Sequence, residues 1–218
     1  MSSGGEPGMG EPVQKIAGIV LAAGASSRMG RPKQLLPVRG KPLLACVVEE
    51  ALCSDLDRVV LVLGHRSGEI RNALGAAIDH PKLRVVDNRR YREGISTSIL
   101  SGLLVAEMFD HVMILLGDMP CVDRHLINHL MRIYLESGLP LGAVQVQNRR
   151  SLPVIFSRAC YPDLRRLSGD EGARRLFETY AGRVCLVQPD RSYTDRDIDT
   201  PEDYRRYRRE LEPGETGS

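Results

Sequence analysis

An unbroken apolar run, Ile16-Ala17-Gly18-Ile19-Val20-Leu21, passes directly into Ala22-Ala23-Gly24-Ala25-Ser26-Ser27-Arg28-Met29-Gly30-Arg31-Pro32-Lys33. Branched residues without polar alternation over that length read as a strand buried on both faces, the kind found inside parallel sheets. A loop leaving such a strand lies at its carboxyl end, where open α/β sheets bind ligands. Gly24 and Gly30 allow successive N–H groups to converge on an anion, Ser26 and Ser27 add hydroxyl donors, and Arg28 and Lys33 supply charge. An ordinary strand-to-helix turn with surface cations fits the same glycines.

The spacing separates this loop from two familiar phosphate binders. Five residues lie between Gly24 and Gly30, and Arg31-Pro32-Lys33 follows, whereas a Walker A loop has four and then Lys-Ser/Thr. Gly24-Ala25-Ser26 lacks the second glycine of the dinucleotide fingerprint.

Downstream, apolar and amphipathic segments alternate. Strands are expected near 16–22, 58–63, 83–86, 111–116, 141–146, 153–156 and 183–187, and helices near 41–53, 67–77, 95–107, 123–137, 170–180 and 201–210. Pro42 stands near the first helix start, Asp123 is placed to cap the helix through Glu136, and Gly138 is placed to stop it. Thr200-Pro201-Glu202-Asp203 opens the last helix with a cap, a first-turn proline and two acids. The alternation predicts a single α/β domain over 15–211, with a mainly parallel sheet covered on both faces. Residues 1–14 and 212–218, rich in Gly, Ser, Pro and Glu, are expected to be flexible tails.

Composition excludes several classes of function. Lys+Arg 30 against Asp+Glu 28 gives a net charge of +2, too little field to recruit nucleic acid or an anionic membrane. Trp is absent and aromatics are 5%, leaving few stacking platforms for single strands. No apolar run reaches the roughly 18 residues that span a bilayer, and the N-terminus lacks a basic-then-apolar leader, so a cytoplasmic protein is expected. Cys46, Cys53, Cys121, Cys160 and Cys185 form no Cys-x-x-Cys and read as buried reduced thiols.

Val112 to Leu116 leads into Gly117-Asp118-Met119-Pro120, which places Asp118 on the rim that carries the glycine loop. A carboxylate there can hold a hard cation such as Mg²⁺, or cap the turn before Pro120. Asp199 precedes the cap of the last helix and can interact with that helix's N–H groups. Gly94-Ile95-Ser96-Thr97-Ser98 opens a helix with small residues, suited to close approach by a ligand or to capping by Ser96. His125 and His129 are spaced i, i+4, but Leu126 occupies the acid position of the zinc motif His-Glu-x-x-His, and a solvated or core pair is the better reading. Arg205, Arg206, Arg208 and Arg209, among Tyr204 and Tyr207, read as a solvated helix face.

The stretch LAAGASSRMGRPKQLLPVRGKPLL resembles the signature of the MobA-like nucleotidyltransferases, and its LAAG opening resembles the branch that makes molybdopterin cytosine dinucleotide. GISTSILSG from Gly94, LLGDMP from Leu115 and DIDTPEDY from Asp197 match the same family in its order. The resemblance implies a Rossmann-like three-layer sandwich of the nucleotide-diphospho-sugar transferase type. It implies Arg28, Lys33 and Asp118 as catalytic residues, and Leu21, Ala22, Ala23, Gly24, Ser26, Ser27, Gly94, Ser96 and Ser98 as nucleotide contacts, with Asn88 a possible base contact. Asp118 and Asp199 match the family's two metal-holding aspartates, with Asp197 a weaker third candidate, and Mg²⁺ or Mn²⁺ is the implied cofactor.

Leu167-Ser168-Gly169-Asp170-Glu171-Gly172-Ala173-Arg174 resembles a segment of the cytidylyltransferase branch, and implies Gly169, Asp170 and Arg174 as contacts for the cofactor precursor. Arg150 and Pro153 are carried over to the same role, although Ser151 stands where the family commonly has glycine and Leu152 where it has a polar residue. The expected activity is CMP transfer from CTP to the terminal phosphate of molybdopterin or molybdenum cofactor, with a recipient molybdoenzyme as a transient partner. Guanylyl transfer to that cofactor, another MobA-like nucleotidyl transfer, and non-catalytic delivery of the cofactor are the alternatives.

Overall fold

In a computed structural model describing residues 13–26 and 29–211, the opening apolar run forms β1 (Ile16–Ala22), buried along its whole length. The expected tails lie outside the described residues apart from 13 and 14, and Gln14 bonds through Oε1 to His111 Nε2 at 2.8 Å.

Six further strands join β1 in one sheet: β4 (Arg58–Leu63), β5 (Leu83–Asp87), β6 (His111–Leu116), β7 (Leu141–Val146), β8 (Arg149–Ser157) and β9 (Val184–Val187). Their order is β5-β4-β1-β6-β8-β7-β9, with β8 antiparallel to both of its neighbours and every other adjacent pair parallel. Ala22 lies beside Leu63 and Leu21 beside Leu116, so the carboxyl ends of β1, β4 and β6 share one rim.

Alternation along β1 feeds two cores. Ile16, Val20 and Ala22 pack with α1 (Leu43–Leu52), α2 (Ser67–Leu74) and α4 (Arg124–Ser137). On the opposite face Ala17, Ile19 and Leu21 pack with α3 (Ile95–Ala106), α5 (Tyr161–Leu164) and α6 (Arg174–Thr179). Each fully buried Leu, Ile or Val contributes roughly 1.5–3 kcal/mol, which makes this double-sided burial the main support of the sheet. A third cluster docks α7 (Pro201–Leu211): Tyr204 and Tyr207 sit on Leu36, Val38 and Leu43, and the Tyr204 hydroxyl donates to Pro37 O at 2.5 Å. The arginines interleaved with these tyrosines are exposed.

Several expected boundaries move. Lys41–Pro42 (β3) pairs with Pro37–Val38 (β2) in a small hairpin, so the first helix starts at Leu43 with Pro42 at its cap. The helix expected over 67–77 ends at Leu74 and continues as a 3₁₀ segment over Gly75–Asp79. Residues 170–173 form a turn-rich loop, leaving only Arg174–Thr179 as helix. β8 is longer than expected, and the four-residue α5 was not anticipated. Asp123 does cap α4, accepting from Leu126 N at 2.8 Å, and Gly138 ends it in a left-handed conformation with φ 63°. The five cysteines are all free, but only Cys160 and Cys185 are buried; Cys53, at the end of α1, is exposed. His125 and His129 belong to no cluster of potential metal ligands among the described residues. No described helix is long and apolar enough to cross a membrane.

Candidate active site

The loop after β1 is knitted from within by a side chain the sequence reading passed over. Gln34, buried at 3% exposure, donates through Nε2 to Ala22 O and Gly24 O, both at 3.1 Å, and its Oε1 accepts from the Ser26 hydroxyl at 3.3 Å. Ser26 Oγ in turn accepts from Lys33 N at 3.1 Å, which fixes where the lysine leaves the loop. Ser27 and Arg28 lie outside the described residues.

Lys33 crosses the rim to the carboxylates. Its Nζ pairs with Asp118 Oδ2 and, at 2.5 Å, with Asp199 Oδ1; the side chains of Lys33 and Asp118 are 15% and 13% exposed. Burial works against charge on both partners, pushing Lys33 down and Asp118 up. At Lys33 the two carboxylates outweigh burial, and the ammonium is held above its ordinary value. Asp118 Oδ1 is buried and has no hydrogen-bond partner among the described residues. Leaving such an acceptor unsatisfied costs about 1–3 kcal/mol, and more for a charged group, so a ligand for this atom is called for.

A divalent cation fits that demand. Asp118, Asp197 and Asp199 each offer an oxygen within 4.8 Å of the other two, the all-oxygen donor set a hard cation accepts. Ile198 explains why two distant acids arrive together. Buried at 2% exposure in the third cluster, it donates its N–H to Asp118 O at 3.1 Å, so its flanking aspartates are carried to the rim. Asp195 serves a different purpose, accepting an ion pair from Arg149 at 2.9 Å.

A cleft of about 270 Å³ opens beside the pair. Leu21 to Gly24, Lys33 and Gln34 form one wall, Leu116 to Asp118 the next, and Tyr91, Ile95, Ser98 and Asp170 complete it. The start of α3 is closed by the later loop: Ile95 N donates to Asp170 Oδ1 and Ser96 N to Gly169 O, both at 3.2 Å. Gly94 has φ 109°, and a Cβ on it would lie 2.3 Å from the Gly169 backbone, so only glycine permits this contact. Asn88 stands just outside the cleft, 4% exposed, donating to Thr97 Oγ1 at 2.8 Å and Ser98 Oγ at 3.0 Å and accepting from Arg90 N at 2.9 Å.

The residues read from the sequence thus separate into three groups. Leu21, Ala22, Ala23, Gly24, Lys33, Ser98, Asp118 and Asp170 share the cleft, and Asp197 and Asp199 join it through Asp118. Gly94, Ser96 and Gly169 form the scaffold beneath it. Arg150 lies elsewhere, its guanidinium 4.9 Å from the Phe177 ring centroid, while Pro153 is buried in β8 and Arg174 is exposed at the start of α6. Gln34, Tyr91, Ile95, Leu116 and Gly117 are the lining residues the sequence reading did not assign to the site. Ile95, Leu116 and Gly117 lie within the GISTSILSG and LLGDMP matches, and Tyr91 carried a signal as an aromatic just ahead of the Gly94 segment in an aromatic-poor chain.

A mixed, mostly parallel α/β sheet that brings a lysine-bearing loop and an acidic cluster to one rim is the architecture of a nucleotidyltransferase. The chain belongs to the MobA-like NTP transferase family, whose domain matches residues 18–184. It is 35% identical to the purine catabolism protein PucB of Bacillus subtilis over 90% of this chain and 97% of that protein. Nicotine blue oxidoreductase of Paenarthrobacter nicotinovorans is 32% identical (86% and 93% covered), and the molybdenum cofactor cytidylyltransferase of Escherichia coli 25% (85% and 92%). Among solved structures, Rv0371c of Mycobacterium tuberculosis superposes with a TM-score of 0.78 at 28% identity, covering 90% of this chain and 98% of that one. A structure of Rv0371c in complex with manganese gives 0.72 at 27% identity, with 88% and 97% covered.

Proposed function

We propose that the protein transfers CMP from CTP to the terminal phosphate of molybdopterin, releasing pyrophosphate. The observation that carries this reading is the meeting of Lys33, Asp118 and Asp199 at the mouth of a cleft walled by the glycine loop. The LAAG opening, the Gly169 to Arg174 segment and the likeness to a named molybdenum cofactor cytidylyltransferase support cytidine and this acceptor.

The acceptor needs no dedicated base, because the second pKa of a phosphate monoester is about 6 and the nucleophile is largely ionised at neutral pH. Its oxygen attacks the α-phosphorus, the bond from that phosphorus to the β-phosphate's bridging oxygen breaks, and pyrophosphate carries the electron pair away. The obstacle is mutual repulsion of anions, which positioning and fixed charge overcome. Asp118 and Asp199, with Asp197, would hold Mg²⁺ or Mn²⁺, which supplies neutralising charge at the α-phosphate. Lys33, protonated at neutral pH, offsets charge gathering on the leaving pyrophosphate, and Arg28 adds a second cation.

Turnover with CTP, GTP, ATP and UTP against molybdopterin, read by pyrophosphate release and product mass, tests the reading. CTP should exceed the others by at least about tenfold, and Asp118→Asn should lower turnover by about 10²–10³ or more while the protein stays folded. Preference for GTP would move the assignment to guanylyl transfer. Cofactor binding without pyrophosphate release would make the protein a carrier.

A further inference from the structure

We infer that Tyr91 is the surface against which the nucleobase packs, a role that rests on the cleft being the nucleotide site. It is the aromatic residue among those lining the cleft. Its ring is held from several directions. The phenol oxygen lies 3.3 Å from His65 Nδ1, and the two rings sit 6.0 Å apart at 53°. The Arg92 guanidinium is 5.6 Å from the ring centroid. A Cβ on Gly64 would fall 2.9 Å from Tyr91 Cβ and 2.8 Å from Ala23 O, so a bare glycine is what lets the tyrosine sit against the loop. The backbone just ahead of it is fixed as well: Arg90 N donates to Asn88 Oδ1 at 2.9 Å, and Arg90 O lies 3.0 Å from the Thr97 hydroxyl.

Gly64 and the adjoining Tyr91 stand beyond the end of β4, whereas Asp118 stands beyond the end of β6, and β1 runs between those strands. Two interstrand spacings of about 4.8 Å separate the aromatic end of the cleft from its charged end by roughly 10 Å. A ligand filling both ends has a flat ring on one side and anionic groups on the other, the outline of a nucleoside triphosphate. Ala23, which with Tyr91 flanks Gly64, makes the aromatic end apolar, and Ser98 Oγ, which accepts from Asn88 at 3.0 Å and donates to none of the described residues, has its proton to offer an acceptor on the base edge. Base stacking tolerates any nucleobase, so Tyr91 supplies affinity for the class and Ser98 a polar contact that favours one member.

The absence of Trp from this chain makes the test direct. Tyr91→Trp introduces a single tryptophan at the proposed contact, and titration with CTP should quench its emission saturably while inorganic tripolyphosphate, which has no base, does not. By calorimetry, Tyr91→Ala should weaken CTP about 10- to 100-fold and leave tripolyphosphate within a few-fold of wild type, whereas Tyr91→Phe, which keeps the ring, should bind CTP within about threefold. Equal losses for CTP and tripolyphosphate, or Tyr91→Trp emission indifferent to bound CTP, would overturn the role of Tyr91 and leave the nucleotide site standing. A wild-type protein that binds no CTP, GTP, ATP or UTP would overturn the site itself and the inference with it.

Discussion

With its ammonium between Asp118 and Asp199, Lys33 neutralises the same carboxylates that a divalent cation would hold. In the proposed reaction lysine and metal would therefore compete until a triphosphate drew the ammonium toward its own charge. Lys33→Met should raise the affinity of the nucleotide-free protein for Mn²⁺ by about tenfold, equivalent to roughly 1.4 kcal/mol, and weaken tripolyphosphate by a similar factor. Manganese titration followed by electron paramagnetic resonance measures the first and calorimetry the second; a fall in Mn²⁺ affinity would show that the lysine organises the acids rather than occupying their site. Lys33 and Asp118 were legible in the sequence because each follows a buried apolar strand. Their contact was not, since it depends on how β1 and β6 come to lie side by side. Gln34 was hidden for another reason: a glutamine ahead of two leucines carries no periodic signal, and its role exists only once the loop has folded back over it.

At the scale of elements, α7 works as a handle on the acidic loop. Thr200 Oγ1 accepts from Asp203 N at 3.2 Å, and Thr200 N donates to Asp203 Oδ2 at 2.9 Å, a reciprocal cap that fixes the residue directly after Asp199. Thr200→Ala should cost about 1 kcal/mol in chemical denaturation and also weaken Mn²⁺ binding, because the cap adjoins Asp199, a proposed ligand. A second element depends on pH. His111, at the start of β6, lies 3.0 Å through Nδ1 from the Tyr134 hydroxyl and 2.8 Å through Nε2 from Gln14 Oε1, and burial pushes its imidazole below the ordinary value, partly offset by Asp110. The unfolded chain then binds the proton more readily than the folded one. Stability should fall as pH drops below about 6.5 and level off once the depressed folded value is passed; His111→Asn should flatten that slope in urea melts at about pH 7 and pH 5. Capping chemistry was readable at Asp123, Gly138 and Thr200 because it is local. The hairpin of β2 and β3 escaped notice because two-residue strands leave no alternation to detect.

Across the whole molecule, the cleft joins two halves of the chain that are distant in sequence. Gly94, ahead of α3, meets Gly169 so closely that Gly94→Ala must shift one backbone or the other. With φ 109° at that position, the substitution should destabilise the fold by more than about 1 kcal/mol and loosen the Asp170 contact at Ile95, seen as lowered CTP affinity in protein that still melts cooperatively. The parallel half of the sheet was legible because strand and helix alternate locally there. The insertion of β8 between β6 and β7 was not, because antiparallel pairing with β6 is a long-range choice of register.

The bridge from Lys33 to Asp199 spans 166 residues of chain. A polypeptide still emerging from the ribosome carries the glycine loop and Lys33 early and Asp118 midway, but Asp197 and Asp199 come only with the last helix. Until that helix docks, the nascent protein has Lys33 and one carboxylate of the acidic cluster, so the proposed metal centre is incomplete. Asp197 and Asp199 thereby reach the site after the loop and strand they must meet there.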